Sequence, residues 1–287
     1  MKNPVFIIDL SLCNGCYACQ IACKDEHCGN EWLPYAKSQP DTGGFWLKVN
    51  EIERGTIPKL VVTYIPVLCM HCDDAPCIRK CPANAIYKRE DGLVIIDPQK
   101  CDGCAKLNYN PQCKEACPYN AIYWNEELKI AQKCTGCAHL LDRGWKEPRC
   151  VDNCPTLAIR FGEYEELKNL VNEAEVLKPE YNTKPRVFYL NLPKPFISGS
   201  IYDPDADECI EGVTVTAKDL VTGKMHTVKS DEFGDFWLKN LEWKHAYAIT
   251  IEMPGYLTKM IEVVFTDKDV NLGDIALTRS QEGGAST

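Results

Sequence analysis

"DLSLCNGCYACQIACKDEHC", residues 9–28, places five cysteines within sixteen positions. Four of them, Cys13, Cys16, Cys19 and Cys23, are spaced C-x2-C-x2-C-x3-C, the run by which bacterial ferredoxins ligate cubane iron-sulfur clusters. Cys28 falls outside that pattern.

The spacing recurs along the chain. Cys69, Cys72, Cys77 and Cys81 form a second set, Cys101, Cys104, Cys113 and Cys117 a third, and Cys134, Cys137, Cys150 and Cys154 a fourth. Each opens C-x2-C and closes C-x3-C, with only the middle gap varying, at two, four, eight and twelve residues. Three sets end in a repeated phrase, CPANAIY (81–87), CPYNAIY (117–123) and CPTLAIR (154–160), whereas Cys23 is followed by Lys24. Self-similarity of this kind marks a duplicated unit. In two-cluster ferredoxins the fourth cysteine of each motif ligates the other cluster, so motifs work in reciprocal pairs and four motifs make four 4Fe-4S clusters. Proline after that cysteine fixes φ and donates no hydrogen bond, which ends the helical turn carrying the ligands. The A-I-Y that follows is β-prone. Asp91-Gly92 is a hairpin turn signal, so residues 85–97 read as a two-stranded ribbon, and AIYWNEELKIAQKC (121–134) repeats that plan.

Zinc is the competing reading, since paired C-x2-C groups also build tetrahedral thiolate sites, although such sites do not call for a C-x3-C-P half in every unit. A thioredoxin-like redox pair would stand alone beside a βαβ pattern. Cys28 and Cys209 read as buried structural thiols. His71 in CMHCDDAPC (69–77) and His139 in CTGCAHLL (134–141) stand beside ligand loops, where hydrogen bonding to a cluster sulfur or packing against it suits them better than ligation. G-x-G-x-x-G, G-x4-G-K-[ST], H-E-x-x-H and G-x-S-x-G are missing from the sequence, and no catalytic residues are assigned. The expectation is a chain that moves electrons and transforms no substrate itself.

Length and composition bound the rest. The 287 residues suffice for two modest domains with cores of their own, so 18 cysteines are not needed as disulfide staples. A formal charge of −9 argues against nucleic acid as a partner. MKNPVFIIDLSLC lacks the basic region and apolar core of an export signal, and no stretch approaches the roughly 20 apolar residues of a membrane span. Thiolate ligation fits a cytoplasmic location, or clusters inserted before export with a signal-bearing partner.

The four motifs, the C-x-H-C-x-x-x-P-C form of residues 69–77, the insertion from Glu31 to Leu68 and the exit segment KPRVFYL (184–190) resemble the four-cluster iron-sulfur subunits of the molybdopterin oxidoreductase (DMSO reductase) family, over about residues 5 to 190. The resemblance implies four ligand sets: Cys13, Cys16, Cys19 with Cys154; Cys134, Cys137, Cys150 with Cys23; Cys69, Cys72, Cys77 with Cys117; and Cys101, Cys104, Cys113 with Cys81. It also implies a large catalytic partner carrying molybdenum or tungsten on two pyranopterin guanine dinucleotides. A free polyferredoxin is the alternative, against which Trp32, Tyr35, Phe45 and Trp46 of the insertion stand as aromatic anchors for a partner, or equally as local core.

YEELKNLVNEAEVLK (164–178) sets Leu167, Leu170, Val171 and Ala174 at helical spacing and predicts an exit helix. The proline-marked NLPKPF (191–196) then closes a first domain at about residue 195. From 196 to 279, short alternating runs between Gly and Asp turn signals predict a small all-β sandwich, giving an α+β protein overall. SDEFGDFWLKNL and ITIEMPGYLTK resemble the carboxypeptidase regulatory or transthyretin-like fold, in which the glycine before the aromatic starts a core strand. Residues 280–287 read as a disordered tail. A sandwich joined to a four-cluster domain resembles the small subunit of pyrogallol-phloroglucinol transhydroxylase and related anaerobic phenol-hydroxylating enzymes, with sulfoxide, polysulfide and arsenate respiratory reductases as the alternative. Internal hydroxyl transfer needs no net electron flow, whereas four complete motifs suit a hydroxylase or dehydroxylase that exchanges electrons with an outside donor or acceptor.

Overall fold

A computed structural model describes residues 3–280. The chain divides into two compact units, one of residues 1–52 with 64–192, the other of 53–63 with residues from 193 onward.

The first unit is organised by the strand Pro4–Asp9, which runs antiparallel to Ile159–Glu163 and parallel to Val187–Leu190. Its sequence PVFIID is apolar without alternation because both faces of the strand are covered. Phe6 and Ile8 enter the core that holds the cysteines, while Val5 and Ile7 on the opposite face meet Leu167, Leu170 and Val171 of the helix Tyr164–Glu173. A strand period of two thus serves a helix on one side and the cysteine-rich core on the other.

Three short helices, Pro76–Arg79, Gln112–Ala116 and Arg149–Asp152, carry Cys77, Cys113 and Cys150. Each ends just before a Cys-Pro pair, as expected when proline forces the preceding residue out of the helical region. The first motif behaves differently for a reason visible in its sequence. With Lys24 after Cys23, the helix Ala18–His27 continues through the fourth cysteine for another turn. The two ribbons form at Ile86–Lys88 with Val94–Ile96 and at Tyr123–Asn125 with Ile130–Gln132.

In the second unit, two four-stranded sheets enclose Ile201, Val215, Ala217, Phe236, Tyr247, Ile249 and Ile251. Ile197–Asp203 lies between Asp235–Leu238, antiparallel, and Val270–Ala276, parallel, and also pairs with Glu208–Cys209. Thr214–Asp219 pairs with Met225–Lys229 and Ala246–Glu252, the latter with Lys259–Phe265. Gly234 has φ +74°, and a Cβ there would stand 2.3 Å from the Ile201 carbonyl oxygen, so the residue before the Asp235–Leu238 strand has to be glycine.

Three expectations are corrected. The exit helix stops at Glu173, short of 178, because Glu175 exchanges two 2.8 Å backbone hydrogen bonds with Tyr189 and pulls the chain into an extended path. The insertion does not belong wholly to the first unit: Lys48–Thr56 and Lys59–Val67 form a hairpin whose tip, 53–63, clusters with the sandwich residues. Arg54 there binds Asp269 at 2.6 and 2.9 Å, and Lys59 pairs with Asp235. Of the two readings of the insertion aromatics, local core holds for Trp46, which is 1% exposed, and for Trp32, which stacks on His139 at 4.5 Å. Cys209 is exposed and Cys28 only half-buried, its Sγ 3.4 Å from Asp41. The tail expected from 280 lies, beyond Ser280 itself, outside the described residues.

Candidate metal centres

Each C-x2-C loop turns through a left-handed residue just before its second cysteine. Glycine fills that place in three loops: Gly15, Gly103 and Gly136, with φ of +71°, +63° and +63°. In the second loop it is His71, at φ +46°. The turn aims the amide of this residue back at the first cysteine: Gly136 N–H donates to Cys134 Sγ at 3.3 Å and His71 N–H to Cys69 Sγ at 3.5 Å. Burial raises the Cys13 and Cys101 thiols, and the amides of Gly15 and Gly103 act against it.

The C-P-x-x-A phrases repeat a second device. Ala85 N–H donates to Cys81 Sγ at 3.3 Å, and the Ala121 amide opposes the burial that raises Cys117. At Cys154 the amides of Ile159, Ala158 and Thr156, with the Thr156 hydroxyl, outweigh burial and hold the thiol below its ordinary value. Cys23 has no such phrase behind it. There the insertion substitutes, with the Leu47 amide and the Gln39 side chain offsetting part of a large burial penalty.

The thiols act on one another in groups that draw from distant motifs. Cys19 is pushed up to about 12 by burial, then by the sulfurs of Cys13, Cys154 and Cys16. Cys150 is raised by burial, then by Cys137, Cys134 and Cys23. Burial followed by Cys69 and Cys117 takes Cys77 to about 12, and burial followed by Cys101, Cys81 and Cys104 does the same for Cys113. Influences also run between groups in a single order, and at Cys134 the neighbouring group's Cys69 is the strongest after burial. Cys150 also feels Cys19, Cys134 feels Cys69, and Cys113 feels Cys77.

Between the second and third of these groups stands a polar bridge. His71 is fully buried; its Nδ1 accepts the Val94 amide at 3.0 Å and its Nε2 lies 3.9 Å from Cys134 Sγ. Burial, then the positive charges of Lys133, Lys88 and Arg186, hold the ring well below its usual pKa, and therefore neutral. Lys133 is 2% exposed and donates to the carbonyl oxygens of Val94 and Cys134. Its charge favours the thiolates of Cys77, Cys117 and Cys134. His139 has its Nε2 2.9 Å from a carboxylate oxygen of Glu26. The sequence reading missed Lys133 and Gln39 as contributors. The only signal for Gln39 was the missing proline after Cys23.

Such surroundings fit a resident cubane. Cys81, Cys101, Cys104 and Cys113 line one hollow with Ile86, Ile96 and Pro111. Backbone amides aimed at sulfur suit thiolates, and a thiol gives up its proton when it binds metal, so loading releases protons. Among the described residues no group of three or more His, Cys, Asp or Glu has the arrangement of a single-ion site.

The pattern described as "4Fe-4S dicluster domain" matches residues 60–164, and that described as "Carboxypeptidase regulatory-like domain" matches 197–278. The pyrogallol hydroxytransferase small subunit of Pelobacter acidigallici is 39% identical, over 96% of this chain and 100% of that protein. The chain belongs to the iron-sulfur subunits of the molybdopterin oxidoreductases. Other members of this family include a tetrathionate reductase subunit of Salmonella typhimurium, 35% identical over 67% of this chain and 74% of that one, and the arsenate respiratory reductase iron-sulfur subunit of a Shewanella species, 31% identical over 64% and 94%. As an iron-sulfur subunit of this family the chain carries 4Fe-4S clusters, transfers electrons and is a component of an oxidoreductase complex with a large molybdopterin subunit. No helix among its described residues is long and apolar enough to cross a membrane.

Proposed function

We propose that sixteen cysteines hold four cubanes in the sets Cys13, Cys16, Cys19, Cys154; Cys23, Cys134, Cys137, Cys150; Cys69, Cys72, Cys77, Cys117; and Cys81, Cys101, Cys104, Cys113. The observation that carries this reading is the grouping of the thiols, in which Cys19 answers to Cys154 and Cys150 to Cys23. The links Cys19–Cys150, Cys69–Cys134 and Cys77–Cys113 support a linear relay in that same order. Each cubane supplies a one-electron store when bound. The chain's own part is to fix the four stores in line, exclude water and surround their sulfurs with amide hydrogens.

The large partner acts on a phenolic substrate in this reading, as transhydroxylase, hydroxylase or dehydroxylase. Similarity to pyrogallol hydroxytransferase over the whole length of that small subunit, sandwich included, supports it. The first domain is the relay and the sandwich a docking or stabilising module. The complex works in the cytoplasm, where thiols stay reduced until clusters are inserted. The anaerobically purified chain should contain about 16 iron and 16 acid-labile sulfide, four of each per cubane. A stable value near eight would overturn the four-cluster reading. The native complex should turn over phenols; turnover of sulfoxides, tetrathionate or arsenate in their place would overturn the substrate.

A further inference from the structure

Six side-chain polar atoms are buried with no hydrogen-bond partner among the described residues: Nδ1 of His27, Nε2 and Oε1 of Gln39, Nε1 of Trp46, Oγ1 of Thr135 and Nδ1 of His139. Orphaned groups are scarce in folded proteins, and each implies a missing partner. Here they gather at one place. The Gln39 side chain faces the Cys23 thiol and acts against its burial, while neither Nε2 nor Oε1 reaches full hydrogen-bond geometry with any described atom. His27 follows Cys23 by one turn of the same helix, and the Trp46 ring packs on it at 4.5 Å. Trp46 immediately precedes Leu47, whose amide already serves Cys23. Thr135 follows Cys134 directly, and His139 lies 5.3 Å from His27.

The concentration has a cause in the sequence. Where the other fourth cysteines meet the C-P-x-x-A amides, Cys23 meets Lys24, a longer helix and the folded-back insertion. The insertion thus brings indole and carboxamide N–H groups to a site where the other fourth cysteines meet the amides of their own C-P-x-x-A phrase, joined at Cys154 by the Thr156 hydroxyl. A buried N–H facing sulfur stabilises the more negative, reduced form of a cluster and raises its potential, whereas burial without such donors lowers it.

We propose that Gln39 Nε2 and Trp46 Nε1 donate hydrogen bonds to the sulfurs of the cubane held by Cys23, Cys134, Cys137 and Cys150, and that they raise its reduction potential. This rests on the ligand sets proposed above. The insertion then acts as a tuning element, and the second centre of the relay holds an electron more readily than its cysteines alone would allow.

The test is an EPR-monitored redox titration of the full chain in its complex. Cys23→Ser first identifies which signal belongs to this centre. Trp46→Phe keeps the ring and removes the N–H, and Gln39→Leu removes the amide. Each is expected to shift that one midpoint to more negative potential by a factor of about ten in the reduced-to-oxidised ratio, about 59 mV for one electron, with the other three unmoved. An unmoved midpoint, or movement only of a signal that Cys23→Ser leaves intact, overturns the proposal. Should Cys23→Ser alter the centre lost in Cys13→Ser, the ligand sets themselves fall. In case a variant fails to load, wild-type protein carrying indole-15N tryptophan should show a 15N coupling at the reduced centre by pulsed EPR, and its absence overturns the proposal as well.

Discussion

Val94 donates its amide hydrogen to Nδ1 of His71 across 3.0 Å, which leaves the proton of the neutral ring on Nε2, 3.9 Å from Cys134 Sγ. The ring thereby joins the loop of one ligand set to a sulfur of another. It does so from a left-handed backbone position that the other three loops give to glycine, and such strain costs on the order of 1 kcal/mol or more.

Replacing His71 by glycine is therefore expected to preserve cluster loading and cost little in backbone terms. The midpoint of the centre containing Cys134 should move to more negative potential as the Nε2 donor is lost. His71→Ala keeps the strain, loses the donor and should be less stable than His71→Gly by about 1 kcal/mol. Calorimetry and redox titration separate the two effects. Equal midpoints in wild type and His71→Gly would show the ring to be packing alone.

Lys133 places a buried ammonium among Cys77, Cys117 and Cys134, with carbonyl oxygens of Val94 and Cys134 as its hydrogen-bond partners. Lys133→Met should retain the iron but shift two midpoints, those of the Cys69 and Cys134 centres, to more negative potential by tenfold or more in ratio, about 59 mV each. The outer two should stay put. Movement of all four, or of none, would contradict the position assigned to this charge.

Reciprocal ligation gives a pairwise signature. Cys154→Ser should perturb the same EPR centre as Cys13→Ser, and Cys23→Ser the same centre as Cys134→Ser. If Cys154→Ser instead matches Cys134→Ser, each motif closes on its own cluster.

Acid should unfold the sandwich through Asp203. Its carboxylate accepts from Arg279 at 2.7 Å and from the Tyr256 hydroxyl at 2.8 Å, and the Arg279 bond holds its pKa down to about 2, against about 3.9 in an unfolded chain. A depressed pKa contributes stability that is full above the unfolded value and lost as pH falls through the folded one. The sandwich melting temperature should thus decline between about pH 4 and pH 2, and Asp203→Asn should flatten that decline while lowering the plateau above it. A variant with the wild-type acid limb would remove Asp203 from the account.

The cysteine loops, the helix stops and the ribbons were legible because their signals are local. Cysteine spacing and the Cys-Pro stops lie within a few residues of one another, and the ribbons announce themselves by Asp91-Gly92 and its counterpart. What escaped the sequence depends on distant partners. Arg54 and Asp269, 215 residues apart, decide that the hairpin tip goes with the sandwich. Glu175 leaves the helix because of Tyr189, and periodicity carries no trace of that pairing. Trp46 and Trp32 stayed open between partner anchor and local core because an irregular, polar insertion gives no period from which to read burial. Lys133 looked like any lysine beside a ligand, and only its carbonyl partners reveal it as an interior charge.

The strand Pro4–Asp9 precedes every other described strand and pairs with residues 159–163 and 187–190, which are made about 150 residues later. At about 5–20 residues per second its apolar run leaves the ribosome roughly 8–30 s before the first of them exists. During that interval it is a bare strand with two open edges, the kind of segment that pairs with other chains. Translation speed therefore becomes a determinant of yield: slow codons between residues 10 and 158 should reduce soluble protein more than the same codons placed after 190, a comparison of two synonymous genes that needs no change in the protein.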